Sequence, residues 1–373
     1  MKPDDLNPQA PVIYDSSCEI LEPDEHEVEA GLIAALTEIS ETTFKHSGHA
    51  TRSVHAKSHG LLQGEIEVLP GLPQTLAQGM FAQPGHWPVV MRLSTSPGDV
   101  LDDKVSTPRG LALKVVGVPG AAAARLPGSE QDVTQDFLMI NGPAFSVAGA
   151  GKFLSTLKLL AKTTDKAPQL KKAFSALLRG AESMLESAGK QSTTLMSMGG
   201  HPVTHILGET FYSQVPLLCG PYMVKASIAP VSPALKALTG QALDIDGRPD
   251  GLRDAVCEFF ATQDAEWELR LQLCTDLERM PLEDASVVWP EELSPFIPVA
   301  RIRVPRQQAW SDARSKVVDD GMSFSPWHGL AAHRPLGSVM RVRKAAYVMS
   351  ARFRSEHNGR STAEPTQLEP FPD

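Results

Sequence analysis

The stretch Pro88-Val-Val-Met-Arg-Leu-Ser94 alternates in polarity along its length. Successive side chains of a β-strand point to opposite faces, so Val89, Met91 and Leu93 share one face while Arg92 and Ser94 share the other. The pattern predicts a strand whose apolar face packs on a core. A fold built on an antiparallel sheet is therefore the first hypothesis.

Short strand patterns continue on both sides of this stretch, and helical patterns separate them into two groups. Strands are predicted at residues 64–68, 88–94, 110–118, 135–141, 202–213, 221–230, 266–273 and 299–304. Helices are predicted at 24–45, 148–160, 168–188, 251–262 and 336–353. Eight strands with segregated helices favour an α+β fold containing a closed antiparallel β-barrel.

Composition narrows the class of protein. The 373 residues include 35 Lys+Arg and 44 Asp+Glu, a net charge of -9, which argues against a protein that binds nucleic acid or anionic membranes. The four cysteines lie far apart and form no metal-binding or disulfide pattern. No apolar run is long enough to span a membrane, and no targeting segment is visible. We expect a cytoplasmic enzyme.

The chain divides into one large domain and two tails. Residues 1–24 are rich in Pro and Asp and are expected to form an extended arm. Residues 25–358 are expected to form a single domain, and residues 359–373 a tail.

Two motifs suggest sites that the surrounding residues do not support. Gly149-Ala-Gly-Lys152 resembles a phosphate-binding loop, but Ser146 stands where the first glycine belongs and Phe153 replaces the hydroxyl residue that binds magnesium. His201 and His205 would share a face of the predicted strand 202–213, but no third zinc ligand is evident.

The C-terminal helix carries an unusual polar stripe. At roughly 100° per residue, Tyr347 lies about 40° and Arg354 about 20° from Arg343 around the helix, so all three share one face. The simpler interpretation is a surface tyrosine with ordinary arginines beside it. The alternative is a phenolate stabilised by Arg343, because a tyrosine needs a cationic neighbour to ionise at neutral pH. Tyrosinate is one of the known ligands of haem iron.

A second cluster lies in Arg52-Ser-Val-His55-Ala-Lys57. A lone histidine before a strand is most often structural, but Arg92 and Ser94 share one strand face and Phe137, Met139 and Asn141 share another. An arginine on the barrel-facing side requires an anion, and haem propionates would supply two. A histidine with a nearby amide is suited to moving protons during peroxide cleavage.

These segments resemble the motifs of monofunctional haem catalases, in family order. Arg52-Ser-Val-His55-Ala-Lys57 is similar to the distal-histidine motif, and Arg343-Lys-Ala-Ala-Tyr347 to the proximal RxxxY motif. Between them lie Met91-Arg-Leu-Ser-Thr95, Pro108-Arg-Gly-Leu-Ala-Leu-Lys114, Gln135-Asp-Phe-Leu-Met-Ile-Asn141, Trp267-Glu-Leu-Arg-Leu-Gln272, Glu283-Asp-Ala-Ser-Val-Val-Trp289-Pro290 and Phe324-Ser-Pro326. The resemblance covers residues 50–355.

The resemblance implies the catalase fold, haem b as cofactor and a role for each matching residue. It implies His55 as the distal base, Asn141 as its partner, and Tyr347 as the iron ligand activated by Arg343. The remaining cofactor contacts that it implies are Arg52, Arg92 and Arg354 to the propionates, Ser94 to His55, and Val54 and Phe145 along the haem.

Departures from the large catalases shape the expected activity. The sequence stops soon after the tyrosine helix, and His333-Arg-Pro-Leu-Gly337-Ser resembles the short catalase-related peroxidases (mini-catalases). The implied function is decomposition and reduction of hydrogen peroxide through an oxoferryl intermediate, with an organic molecule as a possible electron donor. The expected assembly is a homo-oligomer, with a dimer favoured.

Two other functions remain open at this stage. One is conversion of a fatty-acid hydroperoxide, as in allene oxide synthases, although Val54 is the catalase-type residue beside the distal histidine. The other is a barrel that binds haem without catalysis.

Overall fold

The computed structural model describes residues 10–118, 124–161 and 202–372. The strands are β1 Lys57–Val68, β2 Gly85–Thr95, β3 Arg109–Val116, β4 Thr134–Ile140, β5 Phe211–Tyr212, β6 Leu217–Cys219, β7 Tyr222–Pro230, β8 Ala265–Leu273 and β9 Ile297–Val304. The α-helices are α1 Glu25–Ser47, α2 Ala150–Ala161, α3 Pro233–Lys236, α4 Gly251–Phe260, α5 Asp312–Ser315, α6 Ser338–Arg341 and α7 Lys344–Asn358. A π-helix, Lys316–Asp320, follows α5 directly.

The strands form one antiparallel sheet that closes on itself. Its order is β5-β4-β3-β2-β1-β9-β8-β7-β6, and an additional pairing of β5 with β7 joins the two ends. Eight strands therefore complete a barrel, while β6 extends it as a hairpin with β7. The predicted α+β fold with an eight-stranded antiparallel barrel is confirmed, although the predicted two groups of strands form a single sheet.

The barrel interior is filled by every second residue of its strands. Val89, Met91 and Leu93 belong to the same buried cluster as Leu111, Phe137 and residues of β7, β8 and β9. Opposite residues in an antiparallel ladder lie on the same side of the sheet. Arg92 and Ser94 consequently lie on the outer face, so the expectation of an arginine on the barrel-facing side is wrong.

The outer face of β2, β3 and β4 forms a wall with small side chains at its centre. The cross-strand rows are Ser94–Gly110–Ile140, Arg92–Ala112–Leu138 and Val90–Lys114–Asp136. Gly110 and Ala112 occupy the middle strand of the first two rows, and this lack of bulk leaves room beside the wall.

Helices pack over the same region. Val28, Leu32 and Ile39 of α1 form a buried cluster with Leu157 of α2 and Ala346 of α7. These residues recur at helical spacing, so each helix presents an apolar face to the others. The packing brings α7, which carries the predicted tyrosine stripe, close to the outer wall. Among the helices in the described ranges, none has the length and apolarity to cross a membrane.

Three predicted elements differ from the structure. Most of residues 202–213 is not strand: the His205 side chain accepts a hydrogen bond from the Leu207 N–H and begins a 3₁₀ turn, leaving only β5 extended. His205 therefore lies at a turn and not in a strand. β1 begins at Lys57, seven residues earlier than predicted. It lacks alternation there because Lys57–Leu62 is buried throughout.

The predicted helix 336–353 is divided in two at Val342 and Arg343. The predicted helix 168–188 and His201 lie outside the described residues.

The C-terminal segment is held against the outer wall by a buried ionic network. Lys114 Nζ donates to Asp136 Oδ1 at 2.7 Å and to Glu364 Oε2 at 2.5 Å. His328 Nδ1 lies 3.1 Å from Glu364 Oε1, and the two carboxylates raise the pKa of His328 to about 9 against the effect of burial. Phe371, further along, is buried on the wall beside Val90. Two positive and two negative groups balance in this network.

We predict that Glu364→Gln lowers the free energy of unfolding by on the order of 3 kcal/mol, because it leaves buried cations short of a partner. Glu67→Gln is the matched control, since Glu67 pairs with Arg303 at the surface, where the exposed side-chain fractions are 29% and 55%. Its cost should stay below about 1 kcal/mol. Denaturant unfolding measures both values, and equal costs for the two variants would contradict this account of the network.

Candidate active site

A cavity lies between the outer wall of the barrel and the helices packed over it. Nine of the ten residues that the sequence analysis selected line it: Arg52, Val54, His55, Arg92, Ser94, Phe145, Arg343, Tyr347 and Arg354. They come from the segment before β1, from β2, from the loop after β4 and from the start and middle of α7. Met340 and Ser350, which extend the predicted stripe, line the same cavity.

His55 is held in an unusual conformation at the wall. Its φ of 56° lies in the left-handed region, which bulky residues seldom adopt, and such strain is common at functional sites. Ser94 Oγ lies 3.2 Å from Nδ1, the contact expected from sequence, and Ser96 Oγ lies 3.2 Å from Nε2. A Cβ at Gly110 would approach Nδ1 and Cε1 to 2.7 Å, so only glycine leaves space for this ring.

His55 is neutral at ordinary pH. Burial within the fold, together with the charges of Arg92, Arg343 and Arg52, lowers its pKa to about 3. A neutral imidazole donates at one nitrogen and accepts at the other. It can therefore take up a proton, and its low pKa ensures that the proton is released readily.

Tyr347 and Arg343 are paired on the opposite side of the cavity. Arg343 Nη2 donates to the Tyr347 hydroxyl oxygen at 2.5 Å, and its guanidinium lies over the rings of Phe145 and Phe153 at 6.0 and 5.7 Å. Burial raises the pKa of Tyr347 above its usual value, and the charge of Arg343 only partly opposes this effect. Arg343 alone therefore does not hold the phenolate, which requires a second cation such as a metal ion.

Arg52, Arg92 and Arg354 converge at one edge of the cavity. Arg52 Nη1 and Arg92 Nε donate to Asp319 Oδ1 at 3.0 and 2.7 Å. Arg354 donates to the carbonyl oxygens of Asp319 and Met322. Burial and the charge of Arg92 lower the pKa of Arg354 to about 10.

Asn141 lies outside this cavity lining. Its Oδ1 accepts from the Arg109 N–H at 2.9 Å, and its Nδ2 donates to Glu209. Glu209 also binds the buried Arg109 guanidinium, so the amide belongs to an ionic network at the end of β4. Arg109 and Glu209 thus bind the Asn141 amide, and its role as partner of His55 stays a prediction.

Two residues of the site were missed by the sequence analysis. Ser96 follows the recognised Met91–Thr95 motif by one residue, and the spacing gave no sign that its hydroxyl meets His55. Asp319 lies in Asp319-Asp320-Gly321, a pattern typical of an exposed turn. Only the fold shows that its carboxylate turns inward to the arginines.

Comparison with known structures identifies the architecture. Similar chains include a fungal catalase at TM-score 0.59 and 19% identity, catalase A from Saccharomyces cerevisiae at 0.56 and 18%, and a bacterial catalase at 0.57 and 16%. The alignments cover 84%, 93% and 92% of this chain. The chain has the catalase fold.

The likeness to these catalases is one of fold, at an identity too low to transfer activity. The chain spans 61% of the fungal catalase, 68% of the yeast enzyme and 63% of the bacterial one. No protein-family model matches the sequence, and no curated protein matches it.

We predict that His55→Asn makes the free energy of unfolding fall less steeply as the pH is lowered below about 6.5. The pKa of about 3 in the folded protein lies below the ordinary value of about 6.5 that the unfolded chain keeps. His55 therefore contributes its full stability above about pH 6.5 and loses about 1.4 kcal/mol per pH unit on acidification, down to about pH 3.

The measurement is denaturant unfolding of the wild type and His55→Asn between about pH 4.5 and pH 7.5. The difference between the two proteins isolates His55, because every other histidine is common to both. Parallel profiles would show that His55 is not a buried neutral group.

Proposed function

We propose that this protein binds haem b in the cavity and decomposes hydrogen peroxide, with an organic donor or an organic hydroperoxide as further substrates. The observation that carries the proposal is the placement of His55 and the Arg343–Tyr347 pair in one cavity whose edge holds three arginines. A proton-transfer group, a potential iron ligand and an anion-binding edge are thus combined.

The residues present fit the cofactor in charge. Arg52, Arg92 and Arg354 meet at the carboxylate and carbonyl of Asp319, so positive charge exceeds negative charge at this edge. Among the described residues, the buried Nε of Arg354 has no hydrogen-bond partner. A ligand with two carboxylates, such as a porphyrin with its propionates, would complete both the charge and the hydrogen bonding.

The residues also fit the cofactor in shape. Gly110 and Ala112 leave the centre of the wall without large side chains, which suits a flat ligand. Val54 and Phe145 supply apolar surface, and Phe145 packs edge-to-face on Phe153 with ring centroids 5.1 Å apart. Tyr347 is the iron ligand in this proposal, because the metal supplies the second cation that its phenolate requires.

Bound haem would supply the two electrons that cleavage of the O–O bond consumes, and a second peroxide or an organic donor would return them. The protein supplies position and proton transfer. In the tautomer with Nδ1–H donating to Ser94, the lone pair of His55 Nε2 takes the proton from one peroxide oxygen and returns it to the departing oxygen. In that tautomer the Ser96 hydroxyl donates to the same lone pair, so peroxide would have to take its place.

Tyr347→Phe tests the iron ligand. Loss of the phenol oxygen should leave the purified protein poor in haem or with a changed visible spectrum, because no oxygen remains to bind the metal at that position. Tyr222→Phe is the control, since Tyr222 lies on β7 outside the cavity lining. Haem content and the visible spectrum are measured after expression with added haem; a Tyr347→Phe protein indistinguishable from the wild type removes the assignment.

His55→Ala tests proton transfer. The variant should bind haem but turn over hydrogen peroxide more slowly by on the order of 100- to 10,000-fold, the usual cost of losing general acid–base catalysis. His86→Ala, at a side chain that is 63% exposed, is the control. Oxygen release and donor oxidation are followed in one preparation, and near-normal rates for His55→Ala would remove the proposed role.

A further inference from the structure

Asp319 makes four hydrogen bonds with its carboxylate alone. Oδ1 accepts from Arg52 and Arg92, and Oδ2 accepts from Ser58 Oγ at 2.7 Å and Ser315 Oγ at 2.8 Å. A carboxylate has about four acceptor positions, so all are in use. Burial would favour the protonated form, but the arginine charges prevail and lower the pKa of Asp319 to about 2. The group is a fixed anion.

The backbone around Asp319 serves the same arginines. Asp319 lies in the π-helix Lys316–Asp320, a form of helix that is frequent at functional sites. Carbonyl oxygens of Val318 and Met322 accept from Arg52, and those of Asp319 and Met322 accept from Arg354. This one segment therefore holds three guanidinium groups from distant parts of the chain.

The cluster carries more positive than negative charge. The side chains of Arg92 and Asp319 are only 3% and 15% exposed, so solvent does little to compensate. Asp320, the neighbouring acid, instead contacts His49 and Asn358. Arg52 and Arg92 thus share the Asp319 carboxylate, while Arg354 binds only backbone carbonyl oxygens beside it. Asp320 acts on Arg52 and Arg354 through its charge alone. Three buried cations therefore exceed the two acids near them, although buried charges require full compensation.

We propose that Asp319 is a positioning residue that serves as the resident counter-ion of the arginine edge, holding the arginines in place before the cofactor binds. The inference rests on the proposed function, since the two haem propionates are the anions that complete the neutralisation. Asp319 and the propionates then stabilise the same three cations. Asp319 does so at all times, and the propionates do so only when the cofactor is bound.

This sharing has a measurable consequence for ligand choice. In the wild type, Asp319 already neutralises part of the positive charge of the arginine edge. A porphyrin without free carboxylates therefore lacks only the binding energy that comes from neutralising the rest. In Asp319→Asn the arginines lose the one carboxylate that contacts them, so the edge depends far more on the ligand for negative charge. The preference for haem over haem dimethyl ester, given by the ratio of their dissociation constants, should increase at least about tenfold in the variant, as for a close buried charge pair.

The experiment titrates purified wild type, Asp319→Asn and Asp320→Asn, each freed of haem, with haem and with haem dimethyl ester. Asp320→Asn removes the same charge from the adjacent position, which makes no hydrogen bond to the arginines and acts on Arg52 and Arg354 only through its charge. Its ratio should therefore rise clearly less than that of Asp319→Asn, and an equal rise would overturn the proposal. Asp319→Glu keeps the charge but lengthens the side chain, so its ratio should lie between those of the wild type and Asp319→Asn. If Asp319→Asn does not fold, a ratio in Asp319→Glu above that of the wild type supports the proposal, and a ratio equal to that of the wild type overturns it.

The outcomes separate the two levels of inference. A wild-type protein that binds neither porphyrin overturns the proposed function, and this inference with it. A wild type that binds haem, combined with an unchanged ratio in Asp319→Asn, overturns only the role of Asp319. A merely structural role would weaken both ligands equally and leave the ratio where it was.

Discussion

Successive side chains of the strands β2, β3 and β4 lie on opposite faces of the sheet, and the site depends on this alternation. It places Val89, Met91 and Leu93 in the apolar interior of the barrel and Arg92 and Ser94 on its outer wall. A charged side chain could not occupy the interior without a partner. The polar side chains of the site therefore lie in the space between the barrel and the helices. A shift of the strand register by one residue would turn these side chains into the core.

Electrostatics then divides that space into regions with different properties. Burial lowers the pKa of His55, and the positive charges of Arg92, Arg343 and Arg52 lower it further, so the imidazole stays neutral. The charge of Arg343 also acts on Tyr347, but it does not outweigh the burial of the phenol. Burial and positive charge thus act together on the base and against each other on the phenol.

Much of this could be predicted from the sequence, because local patterns carry it. Alternation located β2, β3, β4 and β7–β9, and helical spacing placed Arg343, Tyr347 and Arg354 on one face. The features that the sequence did not predict depend on contacts between residues far apart in the chain. β1 shows no alternation where both of its faces are buried, and His205 caps a turn that only the fold reveals. Asp319 binds Arg92 and Arg52, which lie 227 and 267 positions away, and Ser96 contacts His55, which lies 41 positions away.

The meeting of Arg52 and Arg354 at Asp319 also has a consequence for how the protein is made. These arginines are separated by about 300 positions, and β1 pairs with β9 across about 240 positions, with Glu65 opposite Arg303. Contacts this remote in sequence are the last that a growing polypeptide can form, and topologies dominated by them fold slowly. During synthesis the barrel cannot close until β9 has left the ribosome, and the arginine edge waits for α7. The proposed cofactor could therefore bind its full set of arginines only after α7 has been synthesised.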